Sequence, residues 1–171
     1  MAATTTWYEQ NGTASGTPAA GTESTISSCD WKSVDDSTTA RASAPVLAGS
    51  NSYIKYIYLK FSGTFNQISA VKFAHTAGTL GTGISLKSKI TSTYATPVTS
   101  AMSGSTDITS TTAIGSGASV LLSTTGPNGT ASASQTTTCY TQYLATQVQT
   151  TSAANAGDSG TVTLTVQYNE N

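Results

Sequence analysis

Tyr53-Ile54-Lys55-Tyr56-Ile57-Tyr58-Leu59-Lys60-Phe61 is the stretch on which the fold turns. Ile57, Leu59 and Phe61 alternate with Tyr56, Tyr58 and Lys60, the period of two expected of a strand with one buried face. Both faces are rich in strand formers. Ser62-Gly63-Thr64 breaks the run. Beyond it, Ile68, Val71, Phe73 and His75 mark a second strand, with Lys72 and Ala74 on the opposite face. Ile84, Leu86 and Ile90 alternate with Ser85, Lys87 and Lys89 in a third, and Thr96-Pro97 suits a turn or a sheet edge, because proline donates no ladder hydrogen bond. Near the C-terminus, Tyr140, Leu144 and Val148 share one face, and Val162, Leu164, Val166 and Tyr168 alternate with Thr161, Thr163, Thr165 and Gln167. These last two segments are expected to pair as a hairpin across the loop at 151–160.

No segment shows apolar residues spaced three and four apart among helix formers, and the abundant Thr is a poor helix former. The expected fold is therefore all-β, a single antiparallel β-sandwich or jelly roll at 23–171, preceded by an extended or flexible N-terminal arm at 1–22. The 171 residues suit one domain with a core that needs no metal or disulfide staple. There are 34 threonines and 25 serines, while charged residues are only 9% of the chain and net charge is −1. So few charges argue against disorder by charge repulsion, and so neutral a balance argues against a surface built to neutralise phosphates. A basic leader and long apolar runs are both absent from the sequence, so a soluble product made in the cytosol is expected.

The arm contains one aromatic pair, Trp7 and Tyr8, which read either as part of a frayed terminus or as anchors that dock on a neighbouring subunit. Tyr56 and Tyr58, flanked by Lys55 and Lys60, are expected to form an outward aromatic contact patch. The basic residues Lys55, Lys60, Lys72, Lys87 and Lys89 cluster in the middle of the chain, whereas five of the eight acidic residues lie at or before Asp36. Sorting of this kind serves either subunit attraction or a simply solvated strand face.

Residues that could carry chemistry are few. Gly157-Asp158-Ser159-Gly160 resembles the nucleophile loop of chymotrypsin-like proteases, and His75 and Asp107 precede it in that family's order. Only 12 residues follow Ser159, too few to wall a specificity pocket, so a hairpin turn is the expected role. Asp30, Asp35 and Asp36 are the one acidic cluster, but they lack the spacing of a calcium loop, and a solvated turn accounts for them. His75 stands alone and reads as a half-buried strand residue. Cys29 and Cys139 could form one bridge, though a cytosolic origin favours free thiols and Cys139 falls opposite Tyr140, facing outward. No catalytic, metal or cofactor site is expected.

The run at 53–61, Asn66-Gln67-Ile68-Ser69-Ala70-Val71-Lys72-Phe73, Tyr94-Ala95-Thr96-Pro97-Val98, and the closing Gly157-Asp158-Ser159-Gly160 with Thr163-Leu164-Thr165-Val166-Gln167-Tyr168-Asn169-Glu170 together resemble the small β-sandwich virion proteins of tailed bacteriophages. The resemblance spans about 53–170 and transfers no site residues. It implies a non-enzymatic structural protein of the virion, made in the host cytoplasm and present in many copies. Decoration or minor capsid and neck or tail roles all fit. It further implies contacts with major capsid, neck or tail proteins and with itself as a homo-oligomer, with no nucleic acid and no membrane as partner. The competing expectation is a carbohydrate-binding adhesin or receptor-binding module on the virion surface, in which Tyr56, Tyr58, Tyr94 or Trp31 stacks on a sugar.

Overall fold

A computed structural model describes residues 2–15, 20–108, 114, 119–155 and 160–171. The protein is all-β and sandwich-like, with two antiparallel sheets. The main sheet runs in the order β2 (Ala20–Thr25), β1 (Thr4–Ser15), β3 (Lys55–Ser62), β10 (Tyr143–Thr150), β5 (Ile84–Thr91) and β6 (Thr106–Asp107). Short strand β9 (Cys139–Thr141) pairs with the last residues of β3 on the edge that β10 also occupies, and β7 (Leu122–Ser123) pairs with β9. The smaller sheet has the order β11 (Val162–Glu170), β4 (Ile68–Gly78) and β8 (Ser134–Gln135).

Between the sheets lies a core in which Leu59, Phe61, Val71, Phe73, Leu86 and Leu144 are wholly buried. Each such side chain contributes roughly 1.5–3 kcal/mol. The alternation at 57–61 points Ile57, Leu59 and Phe61 into this core, as its period requires. On β4 the inward residues Ile68 and Val71 stand three apart, which a flat strand cannot reconcile. Ala70 resolves the spacing at φ 52°, as the extra residue of a bulge where Ser69 faces Asn169 and Lys72 faces Gln167.

Several expectations are corrected. The segment at 1–22 is not a free arm, because Thr4–Ser15 forms β1 and pairs with β3 from Thr4↔Ser62 to Gln10↔Tyr56, and with β2 on its other side. Threonine there is a strand former, and Trp7 lies 5.7 Å from Phe73 across the core. The last two long strands do not form a hairpin. β10 pairs with β3 and β5 while β11 pairs with β4, so the chain crosses from one sheet to the other. Cys139 points inward and is fully buried, whereas Tyr140 turns to the other face of the sheet, beside Tyr58. Gln142 causes the reversal: it leaves the ladder to exchange hydrogen bonds with Leu121, and the extra residue between β9 and β10 flips the facing of everything before it.

Tyr56 and Tyr58 are likewise not an outward patch, being 7% and 1% exposed. They lie on the second face of the main sheet. Tyr143 meets both edge-on, Tyr8 stacks on Tyr58 at 5.3 Å, and Tyr94 comes in from the 92–105 segment to roof Tyr56. Their hydroxyls find partners, as buried phenols must. Tyr58 donates to Glu23 at 2.6 Å, Tyr94 to the Gly12 carbonyl at 2.5 Å, and Tyr143 to Gln10. Burial pushes the Tyr58 phenol well above its usual range, and Glu23 adds to the shift.

One end of the sandwich is closed by buried charge. Lys55 lies on the inward face of β3, and its ammonium donates to Glu9 at 2.5 Å and to the Asp36 carbonyl at 2.8 Å. Asn11 donates to Glu9 and to Asp35, and Asp35 also accepts from the Gly12 amide. Asp36 accepts from the Thr39 hydroxyl and from Lys32, which hold its carboxyl well below the usual aspartate range. The acidic cluster thus ties the 30–44 segment onto β1 and β3.

Two variants test these contacts. Glu9→Ala strands a buried ammonium and is expected to cost about 3–5 kcal/mol in urea unfolding, with the apolar double replacement Glu9→Leu/Lys55→Met costing less than that single change. Gly78 sits at φ +95° where an added Cβ would stand 1.9 Å from the Thr161 carbonyl oxygen. Gly78→Ala is therefore expected to lower stability by about 3 kcal/mol in the same assay, because strained backbone and backbone clash add.

Candidate functional site

The two sheets do not cover each other completely. β11 crosses above β3, with Tyr168 edge-on to Phe61 at 4.9 Å, and Glu170 accepts from the Ala3 amide at 2.8 Å. At the other end of β11 the sheets part. A cleft of about 470 Å³ opens there between Thr161, Val162, Thr163 and Leu164 on one side and Trp7, Ile26, Cys29 and Trp31 on the other. Ile57 also lines it, as do Asp30 and the exposed Arg41. Both tryptophans of the chain meet at this cleft.

Local chemistry sets each wall. The Ile26 amide donates to the Trp7 carbonyl at 3.0 Å, which continues the β1–β2 pairing by one contact and sets Ile26 beside Trp7. Trp31 is held by its indole N–H, which donates to the Thr146 hydroxyl at 3.0 Å. Gly160 lets the opposite wall approach closely, since a Cβ there would lie 2.0 Å from the Thr79 carbonyl oxygen. Val162, Leu164, Val166 and Tyr168 face the core from β11 yet remain only half-buried, whereas Val71 and Phe73 on adjacent β4 are wholly buried. The difference is positional: among the described residues β4 has a neighbour on each side and β11 has one.

Among the described residues nothing assembles into a catalytic constellation. His75 is buried on β4, where its Nε2 donates to the Ala77 carbonyl at 2.7 Å. Asp107 lies on β6, at the edge of the other sheet, in an ion pair with Lys87 at 2.6 Å. Gly157, Asp158 and Ser159 lie outside the described residues. Cys29 and Cys139 are free thiols: Cys29 lines the cleft and Cys139 sits in the core. Of the four expected interface aromatics, Trp7 and Tyr8 are half-buried in β1, and Tyr56 and Tyr58 are within the tyrosine layer. A wider depression of about 630 Å³ near Leu47 and Val46 is lined without a charged or aromatic side chain.

No protein-family model, curated protein or solved structure matches this chain.

The cleft was only partly visible in the sequence. Trp31 stood out there as an aromatic candidate, but nothing local placed it beside Trp7, because the two reach the cleft from a loop and a strand. The half-burial of β11 had no signal either, since strict alternation reads alike in central and edge strands.

Burial pushes the Cys29 thiol far above its ordinary range, with the Glu9 carboxylate adding to the effect, and pushes Cys139 up to about 11. A thiol acts as a nucleophile only when deprotonated. Wholly buried Cys139 should therefore resist a disulfide reagent at pH 7 to 8 in the native protein and react fast once it is unfolded in urea, as thiol titration by absorbance would record.

Proposed function

We propose that this chain is a non-enzymatic structural subunit of a tailed-bacteriophage particle, present in many copies and held on the capsid, neck or tail by protein-protein contacts. The reading rests first on the likeness, over about 53–170, to small β-sandwich virion proteins. The observation that carries it is the β11 edge. This strand is nine residues long, carries no charge before Glu170 and, among the described residues, pairs on one side only. Soluble proteins ordinarily protect such an edge with lysine, proline or a covering segment, because its open backbone groups template pairing with another chain. A row of half-buried apolar side chains beneath it adds surface that a neighbour would bury. Expected partners are major capsid, neck or tail proteins and further copies of the chain, with no nucleic acid, membrane or cofactor involved. Its place is the virion, after synthesis in the host cytoplasm.

A second reading has one specific observation in its favour. Trp7 and Trp31 share a cleft with Asp30, Arg41, Ser27 and Ser28, a mixture of aromatic and polar groups that suits a sugar ring. Under that reading the chain is a carbohydrate-binding module on the particle, with the tryptophans rather than Tyr56, Tyr58 or Tyr94 as its platform.

Quantitative mass spectrometry of purified particles, paired with a glycan array on the isolated protein, separates the two. Many copies per particle and no glycan binding are expected. A few copies with selective glycan binding supports the adhesin, and absence from every particle fraction defeats both.

A further inference from the structure

We infer that the cleft beside β11 is a seat for one extended polypeptide strand supplied by a neighbouring protein, which adds to β11 and lays alternate side chains over Trp7 and Ile26. The inference rests on the assembly reading above and names the kind of partner segment that this edge takes. Three observations meet at this place. Among the described residues, β11 offers a whole strand edge of backbone donors and acceptors with no partner strand. Its inward residues Val162, Leu164, Val166 and Tyr168 are all left half-buried, as happens in a sheet that lacks its next strand. On the far side of the gap, Trp7, Ile26 and Trp31 are half-buried as well, so the main sheet continues under a space that the small sheet does not cover. A strand placed there completes the ladder and closes the core in one step, which is the physics of strand addition.

The geometry also decides what kind of strand. Tyr168 sits over Phe61 of β3, so each copy of the protein carries its own main sheet directly beneath β11. A whole second copy laid edge to edge on β11 would bring that sheet into the space held by Trp7 and Ile26. The occupant is therefore a segment free of its own underlying sheet, such as an extended terminus or linker of a neighbour. Its chemistry follows from the walls. Positions 161–169 are uncharged, so the segment's ladder positions are neutral, with apolar side chains at every second residue. Arg41 lines the cleft, is exposed and forms no ion pair among the described residues, so a carboxylate on the segment reaches it.

The location of both tryptophans at the cleft supplies the readout. The probe is a blocked peptide of the chain's own residues 161–170, Thr-Val-Thr-Leu-Thr-Val-Gln-Tyr-Asn-Glu, which has the alternation and one carboxylate but no tryptophan. Added to the full-length protein, it should produce a saturable blue shift of tryptophan emission. A peptide of the same composition with its four apolar residues made consecutive should produce none. Leu164→Arg, checked for native circular dichroism, should abolish the response. Arg41→Glu, an exposed change that leaves the core untouched, should weaken binding roughly tenfold, the size of one interface anchor.

An equal response to both peptides, or no response to either, overturns the proposal. So does a blue shift with maltose or N-acetyllactosamine and none with peptide, which assigns the cleft to sugar. The two readings fail separately: a protein found at high copy in particles but blind to the peptide loses the strand seat alone, and one that binds the peptide yet is absent from particles loses the virion role alone.

Discussion

Burial of β3 on both faces is the constraint from which the remaining structure follows. Ile57, Leu59 and Phe61 hold the small sheet on one side, while Tyr56 and Tyr58 anchor a layer of tyrosines on the other. A strand in that position needs neighbours at both edges and cover on both faces. β1 and the β9–β10 run supply the edges, and β4, β11 and the 92–105 segment supply the cover. This is why the N-terminal residues are drawn into the sheet: without β1, the backbone of β3 would lie open along seven register positions.

Burying Lys55 on the same strand is the cost of that position. An ammonium at the inward end of β3 is tolerable only with a carboxylate and further acceptors around it, and Glu9 with the Asp36 carbonyl provides them. The acidic residues near the N-terminus and the basic residues of the middle therefore contribute to folding within one chain. At this position the sorting of charge that looked suited to attraction between subunits is satisfied internally. Lys87 is similarly engaged by Asp107, and Lys60 lies over the Tyr140 ring at 5.6 Å. Among the described residues β11 keeps an unpaired backbone edge above half-buried apolar side chains, so the candidate site lies at an edge rather than on a charged patch.

Much of the secondary structure was legible because period-two alternation is a local property of the chain. The runs at 57–61, 84–90 and 162–168 all appear as strands, with Ile57, Leu59, Phe61, Leu86, Ile90, Val162, Leu164, Val166 and Tyr168 turned to the core. The reversed facing of Cys139 has a local cause. Gln142 and Ala70 each add one residue to a strand, and a single added residue reverses or rescues facing in a way that composition does not signal. Tyr56 and Tyr58 were misjudged because a tyrosine on the second face of a strand reads the same whether that face meets water or another layer.

The hydroxyl-rich, charge-poor sequence by itself determined an all-β chain, the positions of β3, β4, β5, β10 and β11 and the inner face of each unbroken one, because those depend on side-chain periodicity over a few residues. Only the tertiary structure decided which strands are neighbours, that residues 4–15 belong to the main sheet, that Trp7 and Trp31 share a cleft, and that β11 has one open edge among the described residues. Pairing and coverage are contacts between residues as far apart as Ala3 and Glu170. Their energies are set by what lies across the gap, which no local pattern encodes.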